Sequence, residues 1–214
     1  MTTATGDDRR RQIVEGAFAA LQARGLPHLS YDAIAEQAGL TRQLVRYHYP
    51  DPDSLMLELC DMMAAIYRDV LISTAGSLSG PARVDAFLDF YFDMLDGTVK
   101  PRDDKVYDAL VSLSAGSEAV RIKLGDQYRL IGQVLSHEFS VQFPDLDHQA
   151  AEELSWLFVC LMYGHWKMVA SLGFDDAHRT ISRQAMDRLI RSYCDHRSDP
   201  AAQTEVWRRR ASES

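Results

Sequence analysis

Residues 30–50 read SYDAIAEQAGLTRQLVRYHYP. Ser30 stands before Tyr31-Asp32-Ala33, where its hydroxyl can accept the free N–H groups that open a helix. That helix carries Ile34, Ala35 and Ala38 inward and stops at Gly39. Thr41 caps a second helix of about eight residues. Only Gly39 and Leu40 separate the two, so they must cross at a steep angle as a helix-turn-helix. The non-core positions of the second helix are Arg42, Gln43, Leu44, Arg46, Tyr47 and His48, a set rich in donors and without acids. A helix that only fills a core more often exposes Glu and Lys, whereas this one offers groups suited to base edges and phosphates.

Each position has a physical role. Val45 and Tyr49 lie four apart and are expected to pack this helix against Ile34 and Phe18, which fixes its angle. Thr41, as N-cap, leaves the positive helix end free to meet a phosphate. Arg42, Gln43 and Arg46 suit hydrogen bonds to guanine or adenine edges, and Leu44 suits a thymine methyl. Tyr47 and His48 suit phosphates.

Working outward, apolar residues at Ile13, Val14, Ala17, Phe18 and Leu21 recur at helical spacing over 7–24, and Gly25 closes that helix. Arg9, Arg10 and Arg11 precede its apolar stripe. They read either as a basic arm reaching the DNA backbone or minor groove, or as a solvated tail. Asp51-Pro52 opens a long helix, Pro being harmless in a first turn. Breaks at Gly80-Pro81, Lys100-Pro101, Ala115-Gly116, Pro144 and Gly173 divide the remainder into helices over 52–75, 81–97, 102–115, 117–142, 146–172 and 177–196. No alternating β-branched run suggests a strand, and no repeat of 20 to 50 residues is present. The expected fold is all-α with about nine helices. A DNA-binding unit spans 1–50, a larger helical domain 51–198, and a frayed tail 199–214.

At 46% apolar and 25% charged residues, the 214-residue chain is of ordinary globular composition. No signal segment and no run of eighteen apolar residues is present, so the cytoplasm is expected and a membrane is not. Cys60, Cys160 and Cys194 each sit among apolar neighbours and read as buried free thiols. No spacing of Cys and His suits a metal, and no cofactor is implied. The net charge of −8 is unevenly spread. Residues 1–50 hold six arginines against five acids, a local excess of one positive charge, so the rest of the chain carries −9. Any contact with a polyanion therefore belongs in the first fifth of the chain.

The block from Ile34-Ala35 through Gly39-Leu40-Thr41 to Tyr47-His48-Tyr49, followed by Leu55, resembles the TetR family of bacterial regulators. The likeness covers roughly residues 10–57; beyond them only helix number and length agree. Two positions depart from the family pattern. Arg46 stands where a tyrosine is usual, and Pro52 replaces a lysine that normally meets a phosphate. The resemblance implies a ligand-responsive regulator, commonly a repressor, that binds a palindromic operator in double-stranded DNA as a homodimer and is released by a small-molecule effector. One recognition helix also reads too few base pairs alone, which independently requires two copies.

The resemblance further implies that the last two helices pair with their symmetry mates. Trp156, Val159 and Tyr163 on one, with Ile181, Leu189 and Tyr193 on the other, have the bulk and spacing for that interface. It places a ligand cavity between these helices and the fourth. Met63, Tyr67 and Phe90, together with Met94, Tyr107, Tyr128 and Trp166, offer aromatic and soft surface there. Asp89, Asp93 and Asp108 would favour a cationic ligand if turned inward. An enzyme is not expected: His137, His165 and the cysteines match no Ser/His/Asp spacing, phosphate loop or HExxH. The alternative is a dimeric helical adaptor of the same fold that no longer binds DNA, as Pro52 and the acidic balance would suit.

Overall fold

The computed structural model describes residues 6–75, 81–94, 104–175, 177–195 and 205–208. They form nine α-helices, and no strand occurs among them. The helices are α1 (Gly6–Arg24), α2 (Tyr31–Ala38), α3 (Arg42–His48), α4 (Pro52–Ala75), α5 (Pro81–Tyr91), α6 (Asp104–Ser114), α7 (Glu118–Gln142), α8 (His148–Trp166) and α9 (His178–Asp195). The expected all-helical class is thus found.

Packing divides the chain into two compact units, 1–68 with 100–126 and 69–99 with 127–214. In the first, α1 packs on α2, α2 on α3, and α6 on α1. The predicted caps organise this unit. Ser30 Oγ accepts from Ala33 N at 3.2 Å and Thr41 Oγ1 from Leu44 N at 3.3 Å. Gly39 adopts a left-handed φ of 63°, so that Leu40 N reaches back to Ala35 O at 2.9 Å. Asp51 caps α4 through both carboxylate oxygens, to Asp53 N and Ser54 N. Ile13, Ala17, Leu21, Ile34, Val45 and Tyr49 are buried, and so are Leu55, Leu59 and Met63 on α4. The expected boundary at residue 50 lies inside this unit because the start of α4 shares its core.

The second unit is built around aromatic rings. Phe158 of α8 lies 5.6 Å from Tyr91 and 5.7 Å from Phe92, centroid to centroid. Arg183 of α9 is buried and bonded to Asp85 at 2.8 Å, Asp89 at 2.6 Å and Asp187. A desolvated guanidinium needs such partners. Asp89 therefore serves an internal cation, which corrects its expected availability to a ligand.

Four sequence expectations change. Helix α5 ends at Tyr91 and not at 97; residues 95–97 lie outside the described residues. Asp93 takes a left-handed φ of 57°, and Met94 N bonds Asp89 O at 2.8 Å, closing the helix as a glycine would. Of the three thiols only Cys60 is buried. Cys160 shares the outward stripe of α8 with Trp156 and Gly164, and Cys194 lies near the exposed end of α9. The tail is not frayed at 205–208, where Trp207 packs on Ser155 and Trp156 within the second unit. Finally, Arg9, Arg10 and Arg11 lie within α1 and form neither arm nor tail.

Candidate nucleic-acid interface

The candidate recognition element is α3, seven residues long, and its two faces differ sharply. Val45 and the following Tyr49 are wholly buried, as is Ile34, while Phe18 is half-buried. Thr41, Arg42, Gln43, Arg46 and Tyr47 are exposed, with Leu44 and His48 half-buried. Tyr47, 79% exposed, is the most open large hydrophobic side chain among the described residues, and its ring meets His48 edge-on at 5.3 Å. The outward face thus gathers two cations, one amide and one phenol without an acid on the helix.

Not all of these groups are equally available. Arg42 Nη1 donates to Asp32 Oδ2 of α2 at 3.2 Å, across the tight turn. That exposed pair contributes little stability but biases the guanidinium's position. Arg46 reaches solvent from the next turn of the helix.

A polar network unforeseen in the sequence fixes the end of α3. Arg10 of α1 bonds Glu58 of α4, Tyr49 Oη donates to the same carboxylate, and the Arg10 guanidinium sits 4.7 Å from the Tyr49 ring centre. Burial pushes Glu58 up, but the bonds from Arg10 and Tyr49 outweigh it and hold the carboxyl below its ordinary 4.5. Burial, then the Glu58 bond, drives the Tyr49 phenol above its ordinary 10. Tyr31 Oη adds a bond to Tyr49 O at 2.8 Å. Arg10 and Glu58 stand 48 residues apart, so no local pattern could have paired them.

The expected sensing residues fall in both units. In the first, Met63 and Tyr67 are buried and Tyr107 is half-buried, with the Tyr67 and Tyr107 rings 6.0 Å apart. In the second, Phe90 is buried and Tyr128 half-buried, its ring 6.3 Å from that of Tyr163. Trp166 Nε1 donates to Tyr91 O at 2.9 Å. Met94 is exposed, because α5 ends before it. Asp93 is likewise exposed and Asp108 half-buried.

Among the expected interface residues, Trp156 and Ile181 are exposed, Tyr163, Leu189 and Tyr193 half-buried, and Val159 buried within its own unit. Tyr193 Oη donates to Glu153 at 2.9 Å, and burial with that bond pushes the phenol up to about 12. His137 is exposed, while His165 is buried with Nδ1 3.1 Å from Ser182 Oγ. Among the described residues no grouping of His, Cys, Asp and Glu could hold a metal, and no helix is long and apolar enough to cross a membrane.

The arrangement is a capped helix-turn-helix followed in the chain by six further helices. Solved structures give it a name. The chain is similar to a TetR transcription regulator from Haloarcula marismortui, with a TM-score of 0.72 at 19% identity over 87% of this chain and 98% of the other. It is similar to NalD of Pseudomonas aeruginosa, described as the secondary repressor of the MexAB-OprM multidrug efflux pump, with a TM-score of 0.61 at 17% identity over 86% and 96%. It is also similar to the multidrug binding protein EbrR complexed with imidazole, with a TM-score of 0.60 at 17% identity over 85% and 94%. No family sequence model and no curated protein matches. The chain has the fold of TetR-family transcriptional regulators, as the motif at 30–50 implied.

Proposed function

We propose that this chain is a ligand-responsive transcriptional regulator, a repressor that binds a palindromic operator as a homodimer and is released by a small-molecule effector. The observation that carries the reading is the division of α3. Its inward side is locked by Val45, Tyr49 and the Arg10–Glu58 network, while Arg42, Gln43, Arg46 and Tyr47 stand outward with no acid on the helix. A rigid helix presenting donors is what a major groove requires.

Two copies would pair through the exposed stripe of α8 together with Ile181 of α9. Within the second unit, Phe90, Tyr128 and Trp166 would contribute to the sensing cavity. The NalD and EbrR descriptions agree with repression and with small-molecule binding in proteins of this fold.

The test is a gel shift against the DNA upstream of the chain's own gene. Arg46→Ala and Gln43→Ala are each expected to weaken specific binding by about 1 to 3 kcal/mol with the fold intact, as for a lost base contact. If the parent fails to shift that DNA, or both variants bind like the parent, the adaptor reading replaces this one.

A further inference from the structure

Glycine inside a helix lowers its stability, so a buried glycine there calls for a reason. Gly132, in the middle of α7, is buried, and the space a Cβ would occupy is filled by the indole ring of Trp207. The ring is fixed at two further points. Its Nε1 donates to Ser155 Oγ at 3.0 Å, and its centroid lies 5.1 Å from that of Trp156 in an edge-on contact. Ser155 is fully buried, and its hydroxyl donates in turn to Glu152 O at 2.7 Å, which leaves an oxygen lone pair aimed at the indole. Trp207 sits in a short turn, 205–208, closed by Arg208 N to Glu205 O at 3.0 Å.

Missing side-chain bulk at Gly132, a buried acceptor at Ser155 and an aromatic wall at Trp156 form a slot with the shape and polarity of one indole. We propose that this slot is a binding site for indoles and similar flat fused-ring aromatics bearing one N–H donor, with Trp207 as its built-in occupant. Free ligand and the C-terminal segment then compete for one place. A tethered occupant acts at an effective concentration of the order of millimolar, so a weak free ligand meets a filled slot. A ligand that wins releases the turn at 205–208 and uncovers Trp156. This site is separate from the sensing residues named above and does not rest on DNA binding.

The experiment is a calorimetric titration of the full-length Trp207→Gly variant with indole, using naphthalene as the two-ring control that lacks the N–H. One indole per chain is expected, bound at least tenfold more tightly than by the unaltered chain. Adding Gly132→Ala should abolish that binding, because the new Cβ takes the space of the ring. Adding Ser155→Ala instead should weaken indole about two- to tenfold while leaving naphthalene unchanged, a discrimination that a misfolded variant would not show. Indole binding no tighter to Trp207→Gly than to the parent, or insensitive to both added substitutions, would overturn the assignment. No operator DNA enters the measurement, so its failure is distinguishable from failure of the regulator reading.

Discussion

Gly16→Ala sets two sizeable effects against each other, and the structure says which wins. Gly16 is buried in the interior of α1. In open space, alanine there would stabilise the helix by about 1 kcal/mol. The space is not open. An added Cβ would lie 2.7 Å from Ala38 Cβ, 3.0 Å from Ala38 N and 3.0 Å from Ile34 O. Apolar carbons prefer about 3.5 to 4.0 Å, so α2 would have to move by roughly 1 Å. Two of the three neighbours are backbone atoms of α2, which no rotamer change can withdraw.

Overpacking of this kind typically costs 1 to 3 kcal/mol, so the net effect is a loss of up to about 2 kcal/mol. The same shift would disturb the bond from Gln12 Nε2 to Ala38 O at 2.7 Å and the Gly39 turn that aims α3. Operator affinity should fall with stability. Urea midpoints followed by circular dichroism at fixed chain concentration measure the first, and a gel shift the second. Ala38→Gly in the same chain removes the closest neighbour and should recover part of the loss, giving a coupling of at least about 0.5 kcal/mol. A Gly16→Ala protein that gains the 1 kcal/mol of helix propensity and binds DNA normally would refute the close approach of α1 to α2.

Glu58→Gln should destabilise the chain near neutral pH and much less in acid. The folded carboxyl sits below its ordinary 4.5, so the unfolded chain binds that proton more tightly; the stability Glu58 supplies is present above that value and lost as pH falls through the folded pKa. Urea midpoints of parent and variant at about pH 7 and pH 3.5 check this, and a gap that stays constant counts against it. At the proposed dimer face, Ile181→Glu, at a site 58% exposed in one copy, should yield folded monomers in sedimentation, since a charge desolvated by a partner is unfavourable. Persisting dimers would move the interface away from α9. Once screening provides an effector, saturating operator should weaken its binding by the factor by which it weakens the operator's, typically 5- to 150-fold. Equal affinities with and without operator would leave the larger helical part without a sensing role.

The parts legible in the sequence were those governed by neighbours a few residues apart. Ser30, Gly39, Thr41 and Asp51 act on backbone groups within one turn, and their residue types announce the geometry. Val45 and Tyr49 follow from the period of one helix. The end of α5 was missed because Asp93 performs a turn usually left to glycine; the cue was an aspartate, which tolerates the left-handed region. Cys160 was misplaced because apolar neighbours in sequence do not say which way a helical residue faces.

What stayed hidden depends on pairs brought together only by the fold. Arg10 reads in the sequence as part of a basic arm; in the structure it bonds Glu58 and lies against Tyr49, so the cation braces the end of α3. Asp32 similarly draws Arg42 to one side of the outward face of α3. Of the six arginines in residues 1–50, Arg24 is also paired, with Glu36 at 2.8 Å, and Arg11 lies 3.4 Å from Asp8. Arg46 is thus the cation on α3 not drawn toward an acid in these pairs. Arg46 is exposed and lies outside these ion pairs, and it is the first to substitute.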